Sequence, residues 1–179
     1  TAVSTTSSGT SVAQATAAAS SSQNQSKYEA NVAGVAGKMD NRVIAAYQQL
    51  GFKLVVDPSV NYSGYFDARS RSITMKQIDD SVYHELGHFL AFIAGNVDKT
   101  ASFQSIFAAE KANVTAFNKA YVTQNASEYF AESVKDYILN NASLKSTRPQ
   151  TYAAVQNALN QITDAQIAKI QKIYGAFWN

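Results

Sequence analysis

The chain of 179 residues has no cysteine, two prolines and two histidines. Without cysteine there can be no thiol nucleophile, no disulfide and no thiolate metal ligand. Nor is there an excess of charge of either sign: 15 Lys and Arg against 13 Asp and Glu leave a net +2. That removes the basic footprint expected of a nucleic-acid or membrane-surface binder. No apolar run approaches the roughly 20 residues needed to cross a bilayer, so no membrane insertion is expected. Residues 1–26 hold no charged side chain and are mostly Thr, Ser, Ala, Gln and Val. A segment with so little large apolar surface is expected to be a flexible tail or linker. Such a Ser/Thr-rich leader suits a secreted protein. The chain begins at Thr1 rather than methionine, so a processed or trimmed form is expected. The length allows one domain, assigned to residues 27–179.

What is present is concentrated. Both histidines fall in His84-Glu85-Leu86-Gly87-His88, an HExxH motif. On an α-helix, residues four apart lie on one face, so both imidazoles point the same way and can grip one Zn2+. Glu85 sits within reach of a water on that ion and can take its proton.

The surrounding pattern is mixed. Residues 27–50 read as helix, with Met39, Val43, Ile44, Tyr47 and Leu50 at helical spacing and Gly51 as a stop. Phe52–Val56 reads as a strand, and Tyr65–Ala68 with Ser72–Lys76 as a hairpin-like pair around Arg69-Ser70-Arg71. Asp79 or Asp80 is expected to cap a helix that runs to Ala94 and stops at Gly95-Asn96. From Val82 to Ala94 every residue of that helix is apolar, aromatic or Gly except His84, Glu85 and His88. A helix apolar on all sides is buried, so these three polar groups enter a core where an unpaired carboxylate is very costly. A metal ion with a water satisfies all three. Further helices are expected near 101–112, 126–140, 149–160 and 164–174. Ile162, Ile167, Ile170, Ile173 and Phe177 form a stripe read as core packing. The fold class is therefore α+β, mostly helical, with a small β-sheet before the motif helix.

Two histidines do not complete a catalytic zinc site, which usually has three protein ligands. The extended motif HExxHxxGxxH would need Gly at 91 and His at 94, and both are Ala. With no further His and no Cys, the remaining ligand must be Asp or Glu. Glu128 and Glu132, four apart in Glu128-Tyr129-Phe130-Ala131-Glu132, share a helix face. One could bind zinc while the other holds the far nitrogen of a ligating His. Asn125 with Glu128 also fits a plain capping box, and Glu110 is a competing ligand.

The chain resembles the catalytic domain of anthrax toxin lethal factor and the related secreted Pro-Pro endopeptidases. The similarity runs from about residue 40 to 162. It rests on Ser70-Arg71-Ser72-Ile73, the HELGH, Phe103, Ile106, Phe107 and Glu110, the stretch 128–132, and Pro149-Gln150-Thr151-Tyr152. The resemblance implies a zincin-like metallopeptidase with Glu128 as the third ligand and Glu132 behind a ligating His. It also implies that Tyr121, seven residues before Glu128, donates to the oxyanion. The Gly-rich loop those endopeptidases carry before the motif helix has no counterpart here, so no prolyl preference is implied.

The expectation is a secreted, monomeric zinc endopeptidase acting on an extended peptide or protein substrate, with no nucleic-acid partner. The strand Ser72–Lys76 is expected to offer an edge for the peptide. The competing readings are a zinc-stabilised binding domain without turnover and a zinc amidase acting on cell-wall material.

Overall fold

A computed structural model describes residues 26–178. The expected tail over 1–26 therefore lies outside the described residues, apart from Ser26. Four strands form one sheet: β1 (Tyr28–Ala30), β2 (Lys53–Val56), β3 (Gly64–Asp67) and β4 (Ser72–Met75), in the order β1-β2-β4-β3. β2 and β4 are parallel, with Leu54 opposite Ile73; the outer pairs are antiparallel. The helices are α1 (Val32–Val35), α2 (Asn41–Gln49), α3 (Ser81–Ile93), α4 (Ala101–Glu110), α5 (Lys119–Val122), α6 (Ala126–Leu139), α7 (Asn141–Thr147), α8 (Pro149–Asn160) and α9 (Asp164–Trp178). The chain is thus α+β, mostly helical, with the small sheet ahead of the motif helix. Among the described residues no helix is long and apolar enough to cross a membrane.

Three sequence expectations are corrected. Residues 27–50 are not one helix. Tyr28 and Ala30 pair with Val56 and Leu54, so β2 supplies ladder partners that a local pattern cannot reveal. The side chains of Asn31 and Asp40 then accept from the backbone N–H groups of Ala33 and Arg42, starting two separate helices. The strand Ser72–Lys76 is not an edge. β4 lies inside the sheet, and the edges are β1 and β3. The C-terminal stripe is only half core: Ile167 and Ile170 are buried, whereas Ile173 is 49% and Phe177 70% exposed. Helix α9 instead turns Tyr174 and Trp178 inward, against Phe92 and Phe52.

The composition of α3 has a direct structural cause. One of its faces covers the sheet, where Phe89 and Phe92 meet Phe52 and Phe66 edge-on or tilted. Its other face is covered by α6. Covered on both sides, it has Leu86, Phe89, Leu90 and Ile93 essentially inaccessible. Each such side chain contributes about 1.5–3 kcal/mol on burial. The contact with α6 is backbone-close: a Cβ added to Gly87 would stand 2.7 Å from both the Cα and the carbonyl oxygen of Ala131. That proximity sets the two histidines against the glutamates of α6.

The β3–β4 turn is held at both ends. The Asp67 carboxylate accepts from the backbone N–H of Arg69, and Arg71 adopts a positive φ of 53°. The Arg71 guanidinium donates to the carbonyls of Leu50 and Trp178, while the Trp178 indole N–H donates to the carbonyl of Ala68. Arg71 is therefore a structural tie rather than a free cation.

Candidate metal and catalytic site

On α3 the i, i+4 spacing presents His84 and His88 together, with ring centroids 5.0 Å apart. On α6, the Asn125 side chain caps the helix by accepting from the Glu128 backbone N–H at 2.9 Å. In a full capping box the Glu128 carboxylate would turn back to the cap. Here it turns to the histidines. Its Oε2 lies 3.0 Å from His84 Nε2 and 3.6 Å from His88 Nε2. One ligand atom each from His84, His88 and Glu128 lies within 4.8 Å of the others. Donors bound tetrahedrally at about 2.0–2.1 Å are roughly 3.3 Å apart, a spacing that 3.0 and 3.6 Å bracket. The donor set of two imidazoles and one carboxylate therefore fits a divalent metal such as zinc.

Glu132, one turn further along α6, is buried and reaches His84 from behind. Its Oε2 is 2.8 Å from His84 Nδ1. A carboxylate there accepts from Nδ1–H and turns Nε2 towards Glu128 and His88. Lys135 lies 3.7 Å from the other Glu132 oxygen.

The electrostatics follow from this packing. Burial opposes charge on His84, but the hydrogen bonds to Glu128 and Glu132 outweigh it and raise the imidazole to about 9. Glu128 resists charge through burial too, yet the two histidines hold it well below the usual carboxylate range. Glu85 is buried at 7% exposure, and burial raises it above an ordinary glutamate against the pull of both histidines. Gly64, the first residue of β3, lies against it: a Cβ there would stand 2.7 Å from Glu85 Cγ and Oε1. Tyr121, on α5, is raised by burial and by the neighbouring Glu128 carboxylate, so its hydroxyl keeps its proton at neutral pH.

The structure thus brings together His84, Glu85, His88, Tyr121, Glu128 and Glu132. It does not bring Glu110 to them. The Glu110 carboxylate accepts from the backbone N–H groups of Gln150 and Thr151, at 3.0 and 2.8 Å, and from the Thr151 hydroxyl. It caps the start of α8, where the helix dipole favours an anion. Two residues of the site escape sequence reasoning, Lys135 and Gly64. Lys135 follows Glu128 by seven residues on one helix face, a spacing that could mark it. Gly64 has no local signal, because its partner Glu85 lies on another element.

The family described as anthrax toxin lethal factor, N- and C-terminal domain, matches residues 67–158, just over half of the chain and a span that includes all six residues above. A Pro-Pro endopeptidase of Clostridioides difficile (strain 630) is 41% identical over 78 residues, covering 41% of this chain and 34% of that protein. The chain therefore matches about a third of that relative's length.

Proposed function

This chain belongs to the anthrax toxin lethal factor family, and we propose that it is a secreted zinc endopeptidase that hydrolyses peptide bonds of extracellular proteins. The observation that carries the reading is the convergence of His84, His88 and Glu128 beside the buried Glu85. Residues 27–179 form the catalytic domain in this reading, and the enzyme acts as a monomer. His84, His88 and Glu128 hold the ion. Zinc, when bound, supplies Lewis acidity, which makes water a nucleophile near neutral pH and polarises a carbonyl.

The protein groups divide the remaining work. Glu85 takes a proton from the water that adds to the scissile carbonyl carbon, then returns it to the amine nitrogen as the C–N bond breaks. Its burial, which raises its proton affinity, suits both halves of that cycle. The Tyr121 hydroxyl donates to the tetrahedral oxyanion. Glu132 accepts from His84 Nδ1 and keeps that ring turned for metal binding. β3 is one edge of the sheet, and its first residue lies against Glu85. An extended peptide can pair along that edge with its scissile bond over the site.

The test is digestion of a diverse peptide library by zinc-loaded protein, read by mass spectrometry, with Glu85→Gln as control. The variant should keep one equivalent of zinc and lose at least about 100-fold in rate. Full activity in Glu85→Gln would remove Glu85 as the base. Zinc loading without cleavage of any peptide would favour a binding domain.

A further inference from the structure

A cavity of about 450 Å3 opens beside Glu85 and His84, and its wall includes Ser63, Ser81, Asn118 and Lys135. His88 and Glu128 are not part of that wall. The cavity therefore lies to one side of the metal group, on the side of Glu85. In the reaction proposed above, Glu85 hands its proton to the departing amine. The substrate residue that carries this amine must then pass over Glu85, beside the mouth of the cavity.

The chemistry of the wall limits what that side chain can be. Lys135 is the one Lys or Arg among the residues that line it, beside the carboxylates of Glu85 and Glu132. Its Nζ forms an ion pair with Glu132 at 3.7 Å, beyond hydrogen-bond distance, and it donates to no other described residue. Glu132 is already engaged through its other oxygen by His84 at 2.8 Å. Ser81 donates its hydroxyl to Asp79. The Lys135 ammonium is thus left with unused donors, facing a cavity that excludes part of the solvent. Arg71 does not compete for the role, since its guanidinium donates to the carbonyls of Leu50 and Trp178.

We propose that this cavity is the subsite for the residue on the amine side of the scissile bond and that Lys135 makes it select Asp or Glu there. The inference rests on the peptidase reading. Lys135 projects from α6 one turn beyond Glu132, so an acidic side chain reaching it lies beyond the catalytic carboxylates.

The experiment uses the zinc-loaded full chain and a panel of peptides built on one cleaved library sequence. The peptides differ only at the residue on the amine side, carrying Asp, Glu, Asn, Leu or Lys. Asp and Glu should be cleaved with roughly tenfold higher kcat/KM than Leu, the gain residing in KM, as a charge-assisted hydrogen bond provides. Lys135→Met should level the panel, and Lys135→Glu should favour Lys, each rate read relative to the same variant's cleavage of the Leu peptide at matched zinc content. A wild-type preference for Leu or Lys overturns the proposal, whatever the variants do. Acidic preference that persists in Lys135→Met overturns the role of Lys135. If zinc is bound and no library peptide is cleaved, the peptidase reading itself fails, and the subsite with it.

Discussion

Gly87 lies against Ala131 so closely that a methyl group on Gly87 would stand 2.7 Å from the Ala131 Cα. The contact joins two motifs, because Gly87 separates Glu85 from His88 while Ala131 separates Glu128 from Glu132. The helix that presents the imidazoles and the helix that presents the carboxylates meet at the one position in HELGH without a side chain. Gly87→Ala should force α3 and α6 apart. A loss of about 1–3 kcal/mol in stability is expected, with zinc affinity falling in the same variant. Thermal melting and zinc titration check both. Unchanged zinc affinity would mean that the site tolerates separation of the helices.

A second close approach concerns Glu85, the proposed base. A Cβ at Gly64 would collide with Glu85 Cγ and Oε1 at 2.7 Å. Gly64→Ala should displace the carboxylate without touching a metal ligand. The expected outcome is one equivalent of zinc and a kcat reduced by ~100-fold, the scale of a misplacement of about 1 Å. Wild-type kcat would show that Glu85 has room to adjust.

Tyr121 tests the oxyanion role. Tyr121→Phe keeps the ring and removes the donor. Its kcat should fall by about 100-fold or more, with zinc content and KM retained, as for loss of one oxyanion donor. A change confined to KM would make Tyr121 a substrate contact instead.

Proton release on metal loading follows from His84. With metal stripped by chelator, the imidazolium between Glu128 and Glu132 persists to about 9 rather than the ordinary 6.5. Because this pKa is raised, the stability it contributes is complete below pH 6.5 and is lost as pH rises through about 9. Zinc competes with that proton. Apparent zinc affinity should therefore climb about tenfold per pH unit from neutrality and level off near pH 9. Calorimetry in two buffers of different ionisation enthalpy should find about one proton released per zinc at pH 7. Affinity that is flat from pH 7 to 9 would contradict it.

Elements with strong local signals are legible in the amino-acid sequence alone. β4 alternates buried and half-buried positions, and α8 opens with Pro149 at its first position. β1 is hidden there because three residues carry no periodicity and become a strand only through pairing with β2. The exposed ends of the C-terminal stripe are equally hidden, because the last turns of α9 are set by Arg71 and Ala68, more than 100 residues away in the chain.

By itself the sequence determined the chemistry that α3 can present. Helix periodicity puts His84 and His88 on one face, and the apolar residues around them require burial on every side. With no cysteine and no further histidine, any additional protein ligand to zinc had to be a carboxylate. Only the tertiary structure decided where each carboxylate went. Glu110 and Glu128 are both glutamates on helices. The first meets the open N–H groups of α8, and the second meets two imidazoles across the Gly87–Ala131 contact. That difference depends on which helices pack together, and long-range packing leaves no periodic trace in the chain.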